Sequence, residues 1–374
     1  MARSRGFFMS PTLEMVRSQR DAGASDRFRP SSLDGPRKAI RSYLFKPNGW
    51  KAMKVLAFGF LFQTFSYSVI YAALVYGNYF LLVTGWILCG MSVTSLFVIG
   101  HDCAHGSFLK NTKVGDFIGH VCFLFSFYPY YGWKYTHNAH HAHTNDISTH
   151  SHDVYFDNAW TPFTVEEYLA LKQTSKLRAF LYKMTRYFPP FGSLLHNVAF
   201  HAFPGKFIES HKNKLYFSYG ILVLGLGFIC YGLSMLVGNP FAFFHFLIMP
   251  GILFQFWMSY YTYLHHTSTE IQFYQKSEWT PYLGQIVSTY NFLNPKWLSF
   301  IHFHIDIHTP HHLSTAIPCY HLLEAYKDLK CSDFAEDLKE GKFQWSYLFK
   351  QLKECHVWDM EEKRYRRFSE VEGV

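Results

Sequence analysis

Residues 79–105 read YFLLVTGWILCGMSVTSLFVIGHDCAH, an apolar run without charge through residue 100 that passes straight into His101 and His105. About 20 apolar residues suffice to cross a hydrocarbon core of about 30 Å as a helix. The preceding run, residues 55–76, is similarly apolar and is joined to it by the turn dipeptide Gly77-Asn78. Between Lys54 and Lys110 there is no Lys or Arg, and Asp102 is the only acid. The pattern then returns. Residues 215–269 contain no Lys, Arg, Asp or Glu and divide into 215–237 and 241–264 around Gly238-Asn239-Pro240. Two helical hairpins, giving four spans, are the economical reading, because paired uncharged runs of this length are rare in soluble cores.

The mean hydropathy of the whole chain is near zero, so much of it must lie outside lipid. An even number of spans puts the polar blocks on one side. The first block carries 12 Lys+Arg against 4 acids, and the hairpin turns carry neither, which places the blocks and both termini in the cytoplasm by the positive-inside rule. The expected division is an N-terminal cytosolic segment (1–54), a first hairpin (55–99), a first part of a cytosolic cap (100–214), a second hairpin (215–264) and the rest of the cap (265–374). Residues 1–30, rich in Arg, Ser and Gly, read as a mobile lead-in, and no signal-peptide core precedes residue 52. Arg3, Ser4 and Arg5 resemble a transit peptide only weakly, with Glu14, Asp21 and Asp26 against it. Residues 120–131 and 191–203 are apolar but too short to span, and with the basic, aromatic 176–187 they fit the lipid interface.

Composition narrows the class. Of 374 residues, 49% are hydrophobic, 20% aromatic and 17% charged, which excludes disorder. The net charge of +8 fits topology and lipid headgroups better than nucleic acid, given where the basic residues fall. Seven scattered cysteines without a CxxC argue against a zinc ribbon, a thioredoxin-like site or a disulfide framework.

The 22 histidines are the anomaly. Three clusters stand out: His101-Asp102-Cys103-Ala104-His105, His137-Asn138-Ala139-His140-His141 and His308-Thr309-Pro310-His311-His312. Offsets of three and four place side chains on one helical face, so each cluster aims several imidazoles at one point. The pattern HxxHH is expected about 0.08 times by chance at this composition, yet it occurs twice. Imidazole suits zinc, copper, iron and nickel. A catalytic zinc takes three protein ligands, whereas these clusters offer eight, enough for two metal ions with open positions. Soluble di-iron proteins use carboxylates at Glu-x-x-His spacing, which the clusters lack. An all-histidine or nearly all-histidine di-iron centre is the resulting inference.

His265-His266 follows the fourth apolar run as His101 follows the second, and supplies a further candidate ligand. Asp102 and Asp306 adjoin the clusters and are candidates to orient imidazoles, with solvated acids the equal alternative. The roles of His302 and His304 stay open. His143, His150 and His152 read as supporting or surface groups. His196, His201, His211, His245, His321 and His356 lack partners at ligand spacing and read as ordinary core or surface histidines.

HDCAH, HNAHH and HTPHH, in this order around two apolar hairpins, resemble the three histidine boxes of integral-membrane fatty acid desaturases. The segments PYYGWKYTHNAHHAHTN, DNAWTPF, YLHHTSTEI, HIDIHTPHHLSTAIPCYHLLEAY and ECHVWD are similar to those of the acyl-lipid delta-12 (omega-6) and omega-3 group, and the likeness spans roughly residues 40–360. It implies an all-α integral membrane protein with four transmembrane helices beneath a cytosolic helical cap that holds two irons. Carried over by position, the ligands are His101, His105, His137, His140, His141, His308, His311 and His312. His266 occupies about the place of a further ligand, and the likeness does not separate it from His265.

The implied reaction is O2-dependent removal of two hydrogens from adjacent methylenes of a long acyl chain, with a membrane glycerolipid favoured as carrier and delta-12 favoured over omega-3. An unactivated methylene has no acidic proton, so acid–base groups alone do not suffice and a metal-generated oxidant is required. Residues around 123–133 and 257–263 are candidate lining for the acyl chain, core packing being the competing role. No His-Pro-Gly-Gly haem motif of a fused cytochrome b5 occurs, so a separate ferredoxin or cytochrome b5 is expected as electron donor. Lys134, Lys327 and Lys330 are candidates to dock it. Sister enzymes with the same boxes (acyl hydroxylase, acetylenase, epoxygenase, carotenoid oxygenase) form the near alternative. A histidine-rich metal transporter is the distant one, because it would carry its ligands within the spans.

Overall fold

The computed structural model describes residues 30–148, 155–201, 205 and 207–373. The expected lead-in through residue 29, with its Arg and Ser residues, and His150 and His152 lie outside the described residues. In chain order the helices are α1 (Asp34–Ala39), α2 (Gly49–Tyr76), α3 (Tyr79–His105), α4 (Thr112–Leu124), α5 (Tyr130–His143), α6 (Val165–Thr174), α7 (Lys176–Tyr187), α8 (Pro189–His196), α9 (Glu209–Val237) and α10 (Met249–His266). Strand β1 (Tyr290–Leu293), helices α11 (Lys296–Ile301), α12 (Thr309–Leu313) and α13 (Cys319–Lys330), strand β2 (Lys339–Lys342) and helix α14 (Trp345–Glu354) follow. Strands β3 (Val357–Asp359) and β4 (Arg364–Arg366) and helix α15 (Phe368–Glu372) complete the chain. β1 pairs in parallel with β2, Tyr290 opposite Lys339, and β3 pairs antiparallel with β4.

Among the described residues three helices, α2, α3 and α9, are each long and apolar enough to cross a membrane. Both turns between the apolar runs form where the glycines stand. Gly77 (φ +63°) and Gly238 (φ +69°) end α2 and α9 in the left-handed region that a side chain disfavours. Asn78 then starts α3, its side chain accepting from Leu81 N. The fourth apolar run is divided: a π turn at Phe244–Ile248 precedes α10, which starts at Met249 with Pro250 in its first turn. Proline has no N–H to donate to the preceding turn, and the ladder slips there.

α3 occupies the middle of the bundle. Its apolar window is 72% buried, against 22% for α2 and 6% for α9. A buried polar cluster ties α2 to α3: Ser92 Oγ donates to Gln63 Oε1 at 2.6 Å, and Gln63 Nε2 lies 3.3 Å from Cys89 Sγ. On the other side, a Cβ on Gly90 would stand 2.7 Å from Leu253 Cβ, so the bare backbone lets α10 lie directly against α3. Phe97, Phe123, Trp133 and Phe254 stack where α3, α4, α5 and α10 meet, with ring centroids 5.0–5.2 Å apart. This aromatic plug is the floor of the site, since Trp133 stacks on His137 (4.2 Å) and lies 5.4 Å from His101.

Candidate metal centre

α3 and α10 end in histidine on the same side of the bundle. The Gly90–Leu253 contact lies 11 and 13 residues before His101 and His266, so the two helices run parallel for about 18 Å before delivering their imidazoles. α5 adds the second cluster. The third comes from α12, whose start is held by Asn291 on β1: its Oδ1 accepts from His308 N (2.9 Å) and Thr309 N (3.0 Å).

The ring nitrogens sort into two groups. Those of His101, His105, His137, His141 and His311 all lie within 4.8 Å of one another, and those of His140, His266, His308 and His312 form a second group of the same kind. Helical phase explains the split. On α5, His137 and His141 are one turn apart and share the first group, while His140 points to the second. On α12, His311 faces the first, while His312 and His308, the residue that caps the helix start, face the second. The eight cluster histidines and His266, of the pair His265-His266 that the sequence left open, make up these two groups.

Nε2 of His137 stands 3.0 Å from that of His101 and 3.1 Å from that of His141, and His311 Nε2 is 3.0 Å from His141 Nε2. In the second group His266 and His308 approach at 2.8 Å through Nε2. The outer nitrogens decide which tautomers are present. His101 Nδ1 faces Asp102 Oδ1 at 2.9 Å, His140 Nδ1 faces Asp157 Oδ1 at 2.7 Å and His312 Nδ1 faces Gln285 Oε1 at 2.7 Å. Acceptors at Nδ1 hold the proton there and leave Nε2 with a bare lone pair. Nε2 of His105, His140 and His312 is buried with no partner at all. Ring nitrogens converging at such distances in a buried setting are a donor set suited to a cation between them. The residues fit a pair of bound metal ions.

Burial first, and neighbouring imidazoles second, hold His137, His141, His308, His311 and His312 well below the usual histidine range. They are therefore neutral and ready to ligate at neutral pH. Neither group includes a carboxylate among the described residues. Asp102 and Asp157 are the acids that face the imidazoles.

The remaining sequence candidates fall as follows. Asp102 touches His101, and its Oδ2 accepts from Cys319 N. His265 stacks on His308 (4.0 Å, 15°) but belongs to neither group. His302 bonds through Nδ1 to Tyr261 Oη at 2.7 Å, outside both groups. Asp306 accepts from Ser299 Oγ (2.7 Å) and Asn294 N (2.9 Å), bracing the turn before α12 and touching none of the nine imidazoles. His143 packs on Phe156. Sequence reasoning gave no role to Asp157, Gln285 or Asn291. Asp157 lies inside the quoted DNAWTPF segment, whose carboxylate was a usable signal. Gln285 sits in a π turn with no pattern to mark it.

A cavity of about 330 Å³ opens beside the centre, touching His137, His140, His266 and His308. Tyr128, Trp133, Met258 and Thr262, from the two stretches expected to line an acyl site, are part of its wall.

Comparison with known proteins agrees with this geometry. The fatty acid desaturase family model matches residues 77–333. The chain is 33% identical to an sn-1 oleoyl-lipid 12-desaturase of Synechocystis sp. over 81% of its length and 83% of the relative. It is 32% identical to an sn-1 oleoyl-lipid 12-desaturase of Anabaena variabilis, over 77% of this chain and 80% of that one. A chloroplastic omega-6 fatty acid desaturase of Arabidopsis thaliana is 31% identical over 85% of this chain and 68% of the relative. With two convergent histidine groups and a match over most of its length, the chain belongs to the fatty acid desaturase family.

Proposed function

We propose that this enzyme is an acyl-lipid desaturase of the delta-12 type, which converts a lipid-bound oleoyl chain to a doubly unsaturated one at a di-iron centre. The observation that carries the reading is the convergence of nine imidazoles as two groups beside a cavity. The relatives named as oleoyl-lipid 12-desaturases and omega-6 desaturases support the position of attack. Iron is favoured over zinc by number. Five nitrogens in one group exceed the tetrahedral set that zinc would take.

His101, His105, His137, His141 and His311 would hold one ion and His140, His266, His308 and His312 the other. Bound iron supplies the redox chemistry that activates O2, which takes two electrons from the acyl chain and two from a donor and leaves as two waters. The chain's own residues do the rest. Asp102, Asp157 and Gln285 hold Nδ1 protons and fix three rings in ligating orientation. Trp133, Phe97 and Phe123 close the floor against water. The cavity wall holds a flexible chain with one carbon pair facing the centre, converting an improbable encounter into a positioned one.

We place α2, α3, α9 and the π-interrupted α10 as four spans, with the histidine-bearing cap, divided as the sequence suggested, and both termini on the cytoplasmic face. The uncharged turns and the basic first block support this. A separate carrier, a ferredoxin or a cytochrome b5, delivers electrons. Lys327 is exposed, whereas Lys134 is paired with Asp116 at 3.3 Å and Lys330 with Glu340 at 2.7 Å, which favours Lys327 among the docking candidates.

The test is expression in a host lacking polyunsaturated lipids, fed oleate and linoleate, with double bonds mapped by mass spectrometry. A second double bond at carbon 12 of the oleoyl chain is expected. A product that retains oxygen would move the enzyme to the hydroxylase and epoxygenase branch.

A further inference from the structure

Arg186, near the end of α7, is 2% exposed, yet no carboxylate pairs with it among the described residues. Its Nη1 donates to Trp160 O at 3.0 Å and its Nε to His356 O at 3.1 Å. The rings of Tyr182 and Tyr365 lie 5.7 and 5.9 Å from the guanidinium carbon. Two carbonyl dipoles and two aromatic faces make the cation tolerable in place. They do not satisfy Nη2, which is buried without a partner.

That arginine lines the cavity that reaches the histidines. So does Asn158, whose Oδ1 bonds to His196 Nε2 at 3.1 Å while its Nδ2 is likewise buried and unpartnered. Both unused groups are donors. Buried polar groups are rarely left unpaired, and those that are call for a missing partner. A cavity wall that includes two residues with such unused donors is a poor home for a hydrocarbon terminus. It suits an acceptor-only group. Two donors match the two lone pairs of one carbonyl oxygen, whereas a phosphate would leave most of its acceptor positions unmet.

We propose that Arg186 and Asn158 form the subsite for the carbonyl oxygen of the acyl substrate, so that the chain enters the cavity with its oxygenated end fixed and its methylenes extending toward the histidines. The inference rests on the desaturase reading and adds to it the group by which the chain is recognised. A fixed carbonyl would also set the point from which the attacked carbons are counted.

The experiment compares four lipids carrying the same oleyl chain: ester- and ether-linked, each with a phosphate or an uncharged sugar headgroup. Turnover by the reconstituted iron-loaded enzyme is measured alongside competition binding, which needs no turnover. Wild type is expected to prefer ester over ether about ten- to hundredfold, the discrimination that a hydrogen bond to a charged donor supplies. In Arg186→Gln that ratio falls toward one, and Asn158→Ala lowers it less. Should Arg186→Gln not accumulate, the Asn158→Ala ratio decides. Equal losses on ester and ether lipids in these variants would make the arginine a structural cation and overturn the proposal. A loss that follows the phosphate headgroup, with the ester preference intact, would overturn it in favour of an anion. An ester preference in binding that Arg186→Gln abolishes, without any double bond formed by wild type, would uphold the subsite and reject the desaturase reading.

Discussion

His140 shows how much one side chain is asked to do here. Its Nε2 is buried in the second group, while its Nδ1 is held by Asp157, which also accepts from Asn145 N at 2.7 Å and Ala159 N at 3.0 Å. His140→Ala is expected to abolish desaturation and lower bound iron from about two per chain, while the protein still accumulates in the membrane; metal analysis of the purified variant checks this. Asp157→Asn keeps the shape but weakens the hold on the ring, with an expected loss of metal affinity of about 10- to 100-fold, read by chelator competition. His356, remote from the metal candidates, gives a pH signature. Burial lowers its pKa to about 4, and its Nδ1 accepts from Phe368 N at 3.0 Å. The unfolded chain takes up a proton below about 6.5 and the folded one only near 4, so stability is fully present above 6.5 and is lost as pH falls toward 4. Thermal unfolding at pH 7.5 and pH 5 should show this loss, and His356→Gln should reduce it.

At the scale of elements, the two histidine groups depend on how closely α10 approaches α3. Gly90→Ala places a methyl against Leu253 and must push the helices apart, at a cost of about 1–3 kcal/mol. The second group should suffer more than the first, because α10 carries His266 while α3 carries only first-group ligands. Metal binding by the variant, measured alongside its melting temperature in detergent, is expected to fall below two ions per chain. The four apolar runs and the helical phase of the boxes were readable from spacing. The π turn was not, since it arises from a ladder interrupted at Pro250 within an otherwise uniform apolar stretch.

Across the whole molecule, lipid is the missing partner of the outer helices. α9 leaves Val223, Leu224 and Phe228 at 67–77% exposure, a surface that water would not tolerate. α3 and α10 run parallel into the centre, so both hairpin turns lie at the end opposite the histidines. Single cysteines at Asn239 and Glu361, in a chain whose exposed Cys331 is replaced, are expected to react with impermeant reagent from opposite sides of the membrane, Glu361→Cys from the cytoplasmic side. Labelling of both from one side would reject the four-span arrangement.

The sequence by itself determined where the chain is apolar, that its histidines come in phased clusters, the first at the end of such a run, and that the clusters suit redox metals more than zinc. These are local properties, set by the composition and the periodicity of a helix. Only the tertiary structure decided how nine imidazoles divide between two groups, that His266 joins one and His265 does not, and that Asp157, Gln285 and Asn291 orient the rings and α12. Those residues act across gaps of 17 to 27 positions, where spacing along the chain carries no information about direction in space. Arg186 is the same case: its sequence neighbours describe an ordinary basic helix, and its unused donor is visible only once the cavity around it is formed.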